Sequence, residues 1–292
     1  MEGKVELVVD AKAILGEGPC WDVEQQRLYW VDIVEKKVFM FNPLTKENRS
    51  IQLEQHVGAI VPRNDQETVV ALEDGFYLLN IESEEITQIH EIESHLPNNR
   101  FNDGKSDAYG RFWAGTMAKT NAMEQGALYC LETNGTVKKK VNQVSISNGI
   151  AWSSDHKYMY YIDTPTQKVV RYNFHIHTGD MEHPTDIIDF TNEVGFPDGM
   201  TIDADGMLWI AHWGGAKVSK WNSNTGEKLS VVEVPALHVT SCAFGGIDLE
   251  DLYITTAREG MDDNQLAKYP NAGGLFKVNL GVKGMPANYF KG

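Results

Sequence analysis

A strand-like unit recurs six times along this chain, and this repeat restricts the possible folds more than any other feature. Each unit contains a short aromatic or β-branched run, and the runs can be aligned on one residue apiece: Trp30, Val70, Trp113, Tyr161, Trp209 and Tyr253. Successive aligned residues are 40, 43, 48, 48 and 44 positions apart. Self-similarity at a period of this size is typical of propellers and solenoids.

A second apolar run follows the first within each unit, at residues 38–41 and 76–79 in the first two units. Turn residues often come next, as in Thr133-Asn134-Gly135. No amphipathic helix with convincing caps is evident, so we predict none. Short strands at even spacing in six units predict an all-β fold, a six-bladed β-propeller with four-stranded antiparallel blades.

The first strand-like segment, residues 5–9, precedes the first unit and has no blade of its own. We predict that this N-terminal strand closes the ring as the outer strand of the last blade, and a structureless linker is the alternative. Although 292 residues could form two domains, no Pro/Gly-rich stretch divides the chain. Residues 1–292 are therefore predicted to form a single propeller domain.

Charge and cysteine content exclude several classes of partner. The formal net charge is −15, and Lys138-Lys139-Lys140 is the only short basic run. Nucleic acid and anionic membranes need a basic face, so neither is an expected partner. The acidic N-terminus does not resemble a signal peptide, and the cysteines Cys20, Cys130 and Cys242 are isolated, as is typical of a reducing compartment. We therefore expect a cytoplasmic protein, with its oligomeric state left open.

One residue in each unit stands 11 to 13 positions before the aligned residue. We call these the ring residues: Glu17, Gly58, Asn102, Asn148, Asp198 and Ser241. In a propeller blade this position begins the innermost strand, beside the central axis. We therefore expect the ring residues to meet on one small circle at a mouth of the channel.

Four ring residues carry side-chain oxygens suited to a divalent cation. Glu17 and Asp198 are carboxylates, Asn102 and Asn148 supply amide oxygens, and no Cys or His occupies the position. Two carboxylates within a few ångströms repel each other unless a proton or cation lies between them. This set predicts one divalent metal cation, with calcium, magnesium or manganese favoured over a structural zinc. Taken singly, Asn-Gly and Asp-Gly pairs are more often turns, and only their equivalent positions favour the ligand interpretation.

Two loops, residues 116–126 and 256–273, are longer than the others that follow the aligned runs. In an antiparallel blade these loops lie on the same side as the ring residues, so we expect them to wall the mouth. Met117 and the Lys119-Thr120-Asn121 stretch should border the site. Arg100 could hydrogen-bond a polyol or an oxyanion there, and a surface arginine paired with an acid is the alternative.

Several of these segments together resemble the senescence-marker-protein/regucalcin/gluconolactonase family. The matching motifs occur in the family's order and include Leu15-Gly16-Glu17-Gly18-Pro19, Arg100-Phe101-Asn102-Asp103-Gly104-Lys105, Ser147-Asn148-Gly149, Pro197-Asp198-Gly199-Met200 and Thr240-Ser241-Cys242-Ala243-Phe244. The similarity extends over almost the full length. It implies a six-bladed propeller that holds one divalent cation and hydrolyses sugar lactones such as gluconolactone.

The resemblance also implies roles for single residues. Glu17, Asn148 and Asp198 match the family's metal ligands, and Asp198 also matches its acid/base. Arg100 and Asn102 match the substrate-contacting pair. Residues 117–125 are shorter than the lid of the animal members, and the lid carboxylate that contacts substrate there has no clear counterpart. Calcium is the expected cation, with zinc, magnesium or manganese as alternatives.

The leading functional hypothesis is metal-assisted hydrolysis of a small-molecule sugar lactone. The cation would polarise the ring carbonyl while Asp198 acts as acid or base. One alternative is a calcium-binding or regulatory propeller without catalysis, and another is aryl-ester or phosphotriester hydrolysis in the same pocket. The polar residues Lys119, Thr120 and Asn121 favour polyols over apolar esters. The fold does not separate these functions, because propellers host many.

Overall fold

A computed structural model describes residues 3–292, which form six four-stranded antiparallel sheets. Blade 1 consists of Gly16–Asp22, Arg27–Asp32, Lys37–Phe41 and Asn48–Gln52. Blade 2 consists of Ala59–Pro62, Glu67–Ala71, Gly75–Asn80 and Ile86–Glu91. Blade 3 consists of Asn99–Ser106, Phe112–Ala118, Gly126–Leu131 and Val137–Val144. Blade 4 consists of Ser147–Trp152, Tyr158–Asp163, Lys168–His175 and Asp180–Asp189. Blade 5 consists of Phe196–Ile202, Met207–Trp213, Lys217–Asn222 and Lys228–Glu233. Blade 6 consists of His238–Gly245, Asp251–Ala257, Leu275–Asn279 and Glu6–Val9.

The six sheets close into a ring. The first strand given above for each blade contacts the first strand of the next blade. The first strand of blade 6 contacts the first strand of blade 1, which completes the ring. These are therefore the innermost strands, and the predicted six-bladed all-β propeller is confirmed.

Between blades, aromatic residues of the repeated runs pack against aromatic residues of a neighbouring innermost strand. Trp21 of blade 1 stacks on Tyr253 of blade 6 with ring centroids 5.7 Å apart, and Trp209 of blade 5 meets Phe244 of blade 6 edge-on at 5.8 Å. Large flat side chains bury much apolar area and favour stacked or edge-to-face contacts. The repeat is aromatic because each blade has to cover the face of its neighbour.

The N-terminal strand closes the ring, as predicted. Glu6–Val9 pairs antiparallel with Leu275–Asn279, with Leu7 opposite Phe276, and forms the outer strand of blade 6. The edge of the third strand of that blade is thereby paired, which removes an open template for pairing with other chains.

The expectation of no helix is wrong at two short segments. Thr164–Thr166 is a 3₁₀ turn, and Asp263–Lys268 is an α-helix of 6 residues. Asp262 and Gln265 bond reciprocally to each other's backbone N–H, so they form a capping box that starts this helix. The helix buries none of its residues, so no apolar stripe marked it in the sequence. Among residues 3–292, no helix is long and apolar enough to cross a membrane.

Candidate active site

A local irregularity in the innermost strands lies at or next to the four ring residues with ligand-type side chains. In blades 3, 4 and 5 two consecutive residues face a single residue of the next strand, and the first of each pair is Asn102, Asn148 or Asp198. In blade 1 Glu17 directly precedes the same kind of shift. Such bulges bend the strand and re-aim the side chain at that point. Asn102, Asn148 and Asp198 therefore leave the regular sheet pattern, and Glu17 lies next to the point where blade 1 leaves it.

All five predicted site residues line one cavity of about 690 Å³, called here the main cavity: Glu17, Arg100, Asn102, Asn148 and Asp198. Their side chains are almost fully buried. The other two ring residues do not line it. Gly58 has no side chain, and a Cβ there would lie 2.5 Å from the carbonyl carbon of Phe101. Ser241 instead lines a second cavity of about 270 Å³.

Hydrogen bonds tie blades 3 and 4 together at the cavity. Arg100 Nη1 donates to Asn102 Oδ1 at 2.7 Å and to the Phe101 carbonyl at 2.9 Å. Asn102 Nδ2 donates to the Ser147 carbonyl at 2.8 Å and to Asn148 Oδ1 at 3.3 Å. Arg100 is only 8% exposed, so the alternative of a surface arginine is wrong. The Arg100–Asn102 pair is rigidly placed beside the carboxylates.

Thr164, which the sequence did not indicate, orients the amide of Asn148. Asn148 Nδ2 donates to Thr164 Oγ1 at 2.8 Å, and Thr164 Oγ1 donates to the Pro197 carbonyl at 2.9 Å. Because the amide nitrogen of Asn148 is bound to Thr164, its amide oxygen points away from Thr164. Groups that orient a metal ligand in this way commonly tune its affinity.

The Thr164→Val substitution tests this role. Because valine keeps the shape and loses the hydroxyl, we expect calcium affinity, measured by titration calorimetry, to fall about 10-fold or more. Thr166→Val is the matched control, since the Thr166 hydroxyl in the same turn bonds, within residues 3–292, only to the Asp163 carbonyl. Equal calcium affinity in the two variants would contradict a positioning role for Thr164.

Three carboxylates are buried near one another: Glu17 and Asp198 line the main cavity, and Asp103 lines the second cavity. Burial, with a smaller contribution from Asp103, raises the pKa of Glu17 to about 8. Burial also raises the pKa of Asp198 well above its usual range, and the nearby charges of Glu17 and Asp103 act in the same direction. Each ionised carboxylate disfavours ionisation of the others. Either protons or a cation must balance this cluster.

The donor atoms suit a hard divalent cation. Glu17 and Asp198 offer carboxylate oxygens and Asn148 an oriented amide oxygen, which are the ligands that calcium and similar ions prefer. Among residues 3–292, no group of three or more His, Cys, Asp or Glu side chains is arranged to hold a metal, so the amide of Asn148 would be an essential member of the set. Their role as ligands remains a prediction.

The walls of the main cavity differ in character. Blades 2 and 3 contribute His56, Arg100, Lys119 and Asn121, whereas blades 4 and 5 contribute Ile146, Pro165, Phe196 and Trp213. Both long loops reach the cavity as expected, through Met117, Lys119 and Asn121 from one and Glu259 and Gly260 from the other, whereas Thr120 does not line it. Apart from the ring residues, the side at blades 2 and 3 is mostly polar, with Met117 as the exception, and the side at blades 4 and 5 is mostly apolar, with Thr164 as the exception. These two sides are called here the polar wall and the apolar wall.

Residues 15–258 match the family model described as "SMP-30/Gluconolactonase/LRE-like region". The chain belongs to this family. The family expected from the motifs is therefore confirmed.

Similar proteins cover the chain almost from end to end. The Bacillus subtilis (strain 168) protein named "Putative sugar lactone lactonase YvrE" is 42% identical over 286 residues, which is 98% of each chain. Regucalcin of Danio rerio is 41% identical over 293 residues, which is 99% of each chain. The solved structure described as a calcium-binding protein, regucalcin, from Agrobacterium tumefaciens has a TM-score of 0.94 at 29% identity, covering 99% of this chain and 97% of that one. The names of these relatives point to both lactone hydrolysis and calcium binding.

Proposed function

We propose that this protein is a divalent-metal-dependent lactonase that opens sugar lactones of the gluconolactone type to the aldonic acid. The observation that carries the proposal is the convergence of Glu17, Asn148, Asp198, Arg100 and Asn102 on one cavity. The family, which is named for gluconolactonase among others, supports the same reaction.

The cation would be held by Glu17, Asn148 and Asp198. Calcium is proposed first because hard oxygen donors favour it, with magnesium, manganese or zinc as alternatives. When bound, such an ion would supply Lewis-acid polarisation of the lactone carbonyl.

Asp198 is the proposed acid/base. Asp198 is almost fully buried and lines the main cavity, where a positioned carboxylate can accept a proton and return it. It would accept a proton from the water that adds to the carbonyl carbon. It would return that proton to the ring oxygen as the ester C–O bond breaks, so that the products are a carboxyl group and a free hydroxyl.

Arg100 and Asn102 are the proposed substrate-contacting pair. Only Nη1 of Arg100 is hydrogen-bonded to protein groups among residues 3–292. A guanidinium carries five N–H donors, so the others can bind hydroxyl oxygens or developing negative charge. The contacts of Arg100 with Asn102 would keep those donors in place through the reaction.

A substrate panel in the presence of calcium, magnesium, manganese or zinc tests the proposal. We expect kcat/KM for D-glucono-δ-lactone to exceed that for phenyl acetate and for an aryl phosphotriester by at least about 10-fold, because the cavity's polar wall can bind hydroxyls. Hydrolysis is followed as acid release, corrected for the spontaneous rate without protein. Calcium binding with no turnover of any compound would instead favour the non-catalytic alternative, and faster ester or phosphotriester cleavage would favour the other hydrolase.

A further inference from the structure

The polar wall of the main cavity contains a histidine that the predicted mechanism does not use. His56 precedes the innermost strand of blade 2, and Glu73 lies between the second and third strands of that blade. The Nδ1 atom of His56 contacts Glu73 Oε1, and its backbone N–H donates to the same oxygen at 3.3 Å. Lys119 Nζ donates to the other oxygen, Glu73 Oε2, at 3.1 Å. His56 and Lys119 line the cavity, with Glu73 as the support behind both.

This support fixes which histidine nitrogen can meet a ligand. Partial burial of Glu73 opposes ionisation, but hydrogen bonds from His56 and Lys119 outweigh it and lower the pKa of Glu73, so it is a carboxylate. A carboxylate can only accept, so Nδ1 of His56 must donate to it. In the neutral ring Nε2 is then a hydrogen-bond acceptor, and it has no protein partner within the described part of the chain.

The position of His56 in its blade matches that of Arg100. Each stands two residues before its ring residue. The equivalent residues of blades 1, 4 and 5 also line the main cavity, and all three are apolar: Leu15, Ile146 and Phe196. Only the adjacent blades 2 and 3 therefore place a polar side chain at this level. Since ring residue Gly58 has no side chain, His56 supplies the polar side chain of blade 2 at this level of the cavity.

We propose that His56 is a specificity residue that accepts, through Nε2, a hydrogen bond from a hydroxyl group of a polyhydroxylated lactone. The inference rests on the proposed lactonase function and extends it to substrate choice. The hydroxyl-bearing edge of the substrate faces His56 and Arg100, and its C–H face packs against Phe196 and Trp213. A lactone without hydroxyl groups has nothing to donate to His56, so the contribution of His56 depends on the substrate.

The His56→Ala variant tests this dependence on two six-membered lactones. For D-glucono-δ-lactone we expect kcat/KM to fall about 10-fold, mainly through a higher KM, since one hydrogen bond is lost. For δ-valerolactone, which has no hydroxyl, kcat/KM should change by less than about twofold. His56→Gln, which restores a hydrogen-bonding side chain of similar reach, should recover part of the gluconolactone rate.

His175→Ala is the matched control. His175 is exposed at the end of the third strand of blade 4, and its Nε2 lies 3.4 Å from Glu182 Oε2, so it forms a His–Glu pair away from the cavity. Both lactones should be hydrolysed by this variant at the unmodified rates. Equal losses on both lactones in His56→Ala would reveal a purely structural role, and no loss on gluconolactone would exclude contact, so either result overturns the proposal.

A binding measurement separates this proposal from the proposed function. If the unmodified protein hydrolyses neither lactone, the lactonase proposal fails, and D-glucitol is titrated into the calcium-loaded protein by calorimetry. Weaker glucitol binding by His56→Ala but not by His175→Ala would support the hydroxyl contact. Unchanged binding, or no binding by the unmodified protein, would overturn it.

Discussion

The Asp198→Asn variant is expected to lose at least about 100-fold in kcat for D-glucono-δ-lactone, because a positioned acid/base contributes on this order. Asparagine keeps the shape and one oxygen of aspartate but accepts no proton. The rate is therefore measured at calcium concentrations that saturate the variant, which separates lost proton transfer from weakened metal binding. The Tm should not fall in metal-free buffer, since ionised Asp198 is disfavoured by burial and by Glu17.

Asp189→Asn provides the control for Asp198. Asp189 is exposed and accepts hydrogen bonds only from Thr191, within the described residues, so its removal should leave turnover unchanged. An Asp198→Asn protein with kcat near that of the control, at saturating calcium, would show that Asp198 is not the acid/base.

Chelation of divalent cations is expected to abolish lactone hydrolysis and to make stability strongly dependent on pH. The pKa of Glu17 is raised from 4.5 to about 8 in the folded chain. A proton bound more tightly by the folded state stabilises it below the unfolded pKa, and this stabilisation is lost as pH rises through the folded pKa. The Tm of the metal-free protein should therefore fall between about pH 5 and pH 8.5.

Calcium should reverse this loss by replacing the protons. At about 100 times its Kd, a ligand that binds only the folded state adds about 2.7 kcal/mol to the free energy of unfolding. The increase in Tm on calcium addition should be larger at the higher pH, where no proton has to be displaced.

Glu17→Gln is the matched variant for this linkage. Its metal-free Tm should vary less across the same pH range, and calcium should stabilise it less, because the titrating carboxylate is gone. Turnover that persists in EDTA, or equal pH dependence in both proteins, would contradict a metal site built on Glu17.

The ring residues show how far equivalent positions in a repeat can be trusted. Asn102, Asn148 and Asp198 each begin a bulge, whereas the register shift of blade 6 comes one residue earlier, between Val239 and Ser241. Ser241 is therefore paired with Thr255, and it lines the second cavity. A change of one residue in register sends a side chain to the opposite face.

Asp103 was not predicted from the sequence as a member of the buried carboxylate cluster. It directly follows its ring residue, at the position where blades 1, 4 and 5 have Gly18, Gly149 and Gly199. A departure from glycine at this point of the repeat was visible in the sequence. That its carboxylate would be buried and would raise the pKa values of Glu17 and Asp198 was evident only from the structure.

The sequence by itself determined the number of blades, the closing role of residues 5–9 and the placing of Glu17, Asn102, Asn148 and Asp198 at one mouth, because strand spacing and side-chain alternation are local properties repeated six times. The tertiary structure alone decided which other side chains meet at this mouth: Thr164 contacts Asn148, and Glu73 contacts both His56 and Lys119. Glu73 and Lys119 are 46 residues apart and belong to different blades. Their contact depends on how loops from neighbouring blades lie over the channel, and no local pattern along the chain records that arrangement.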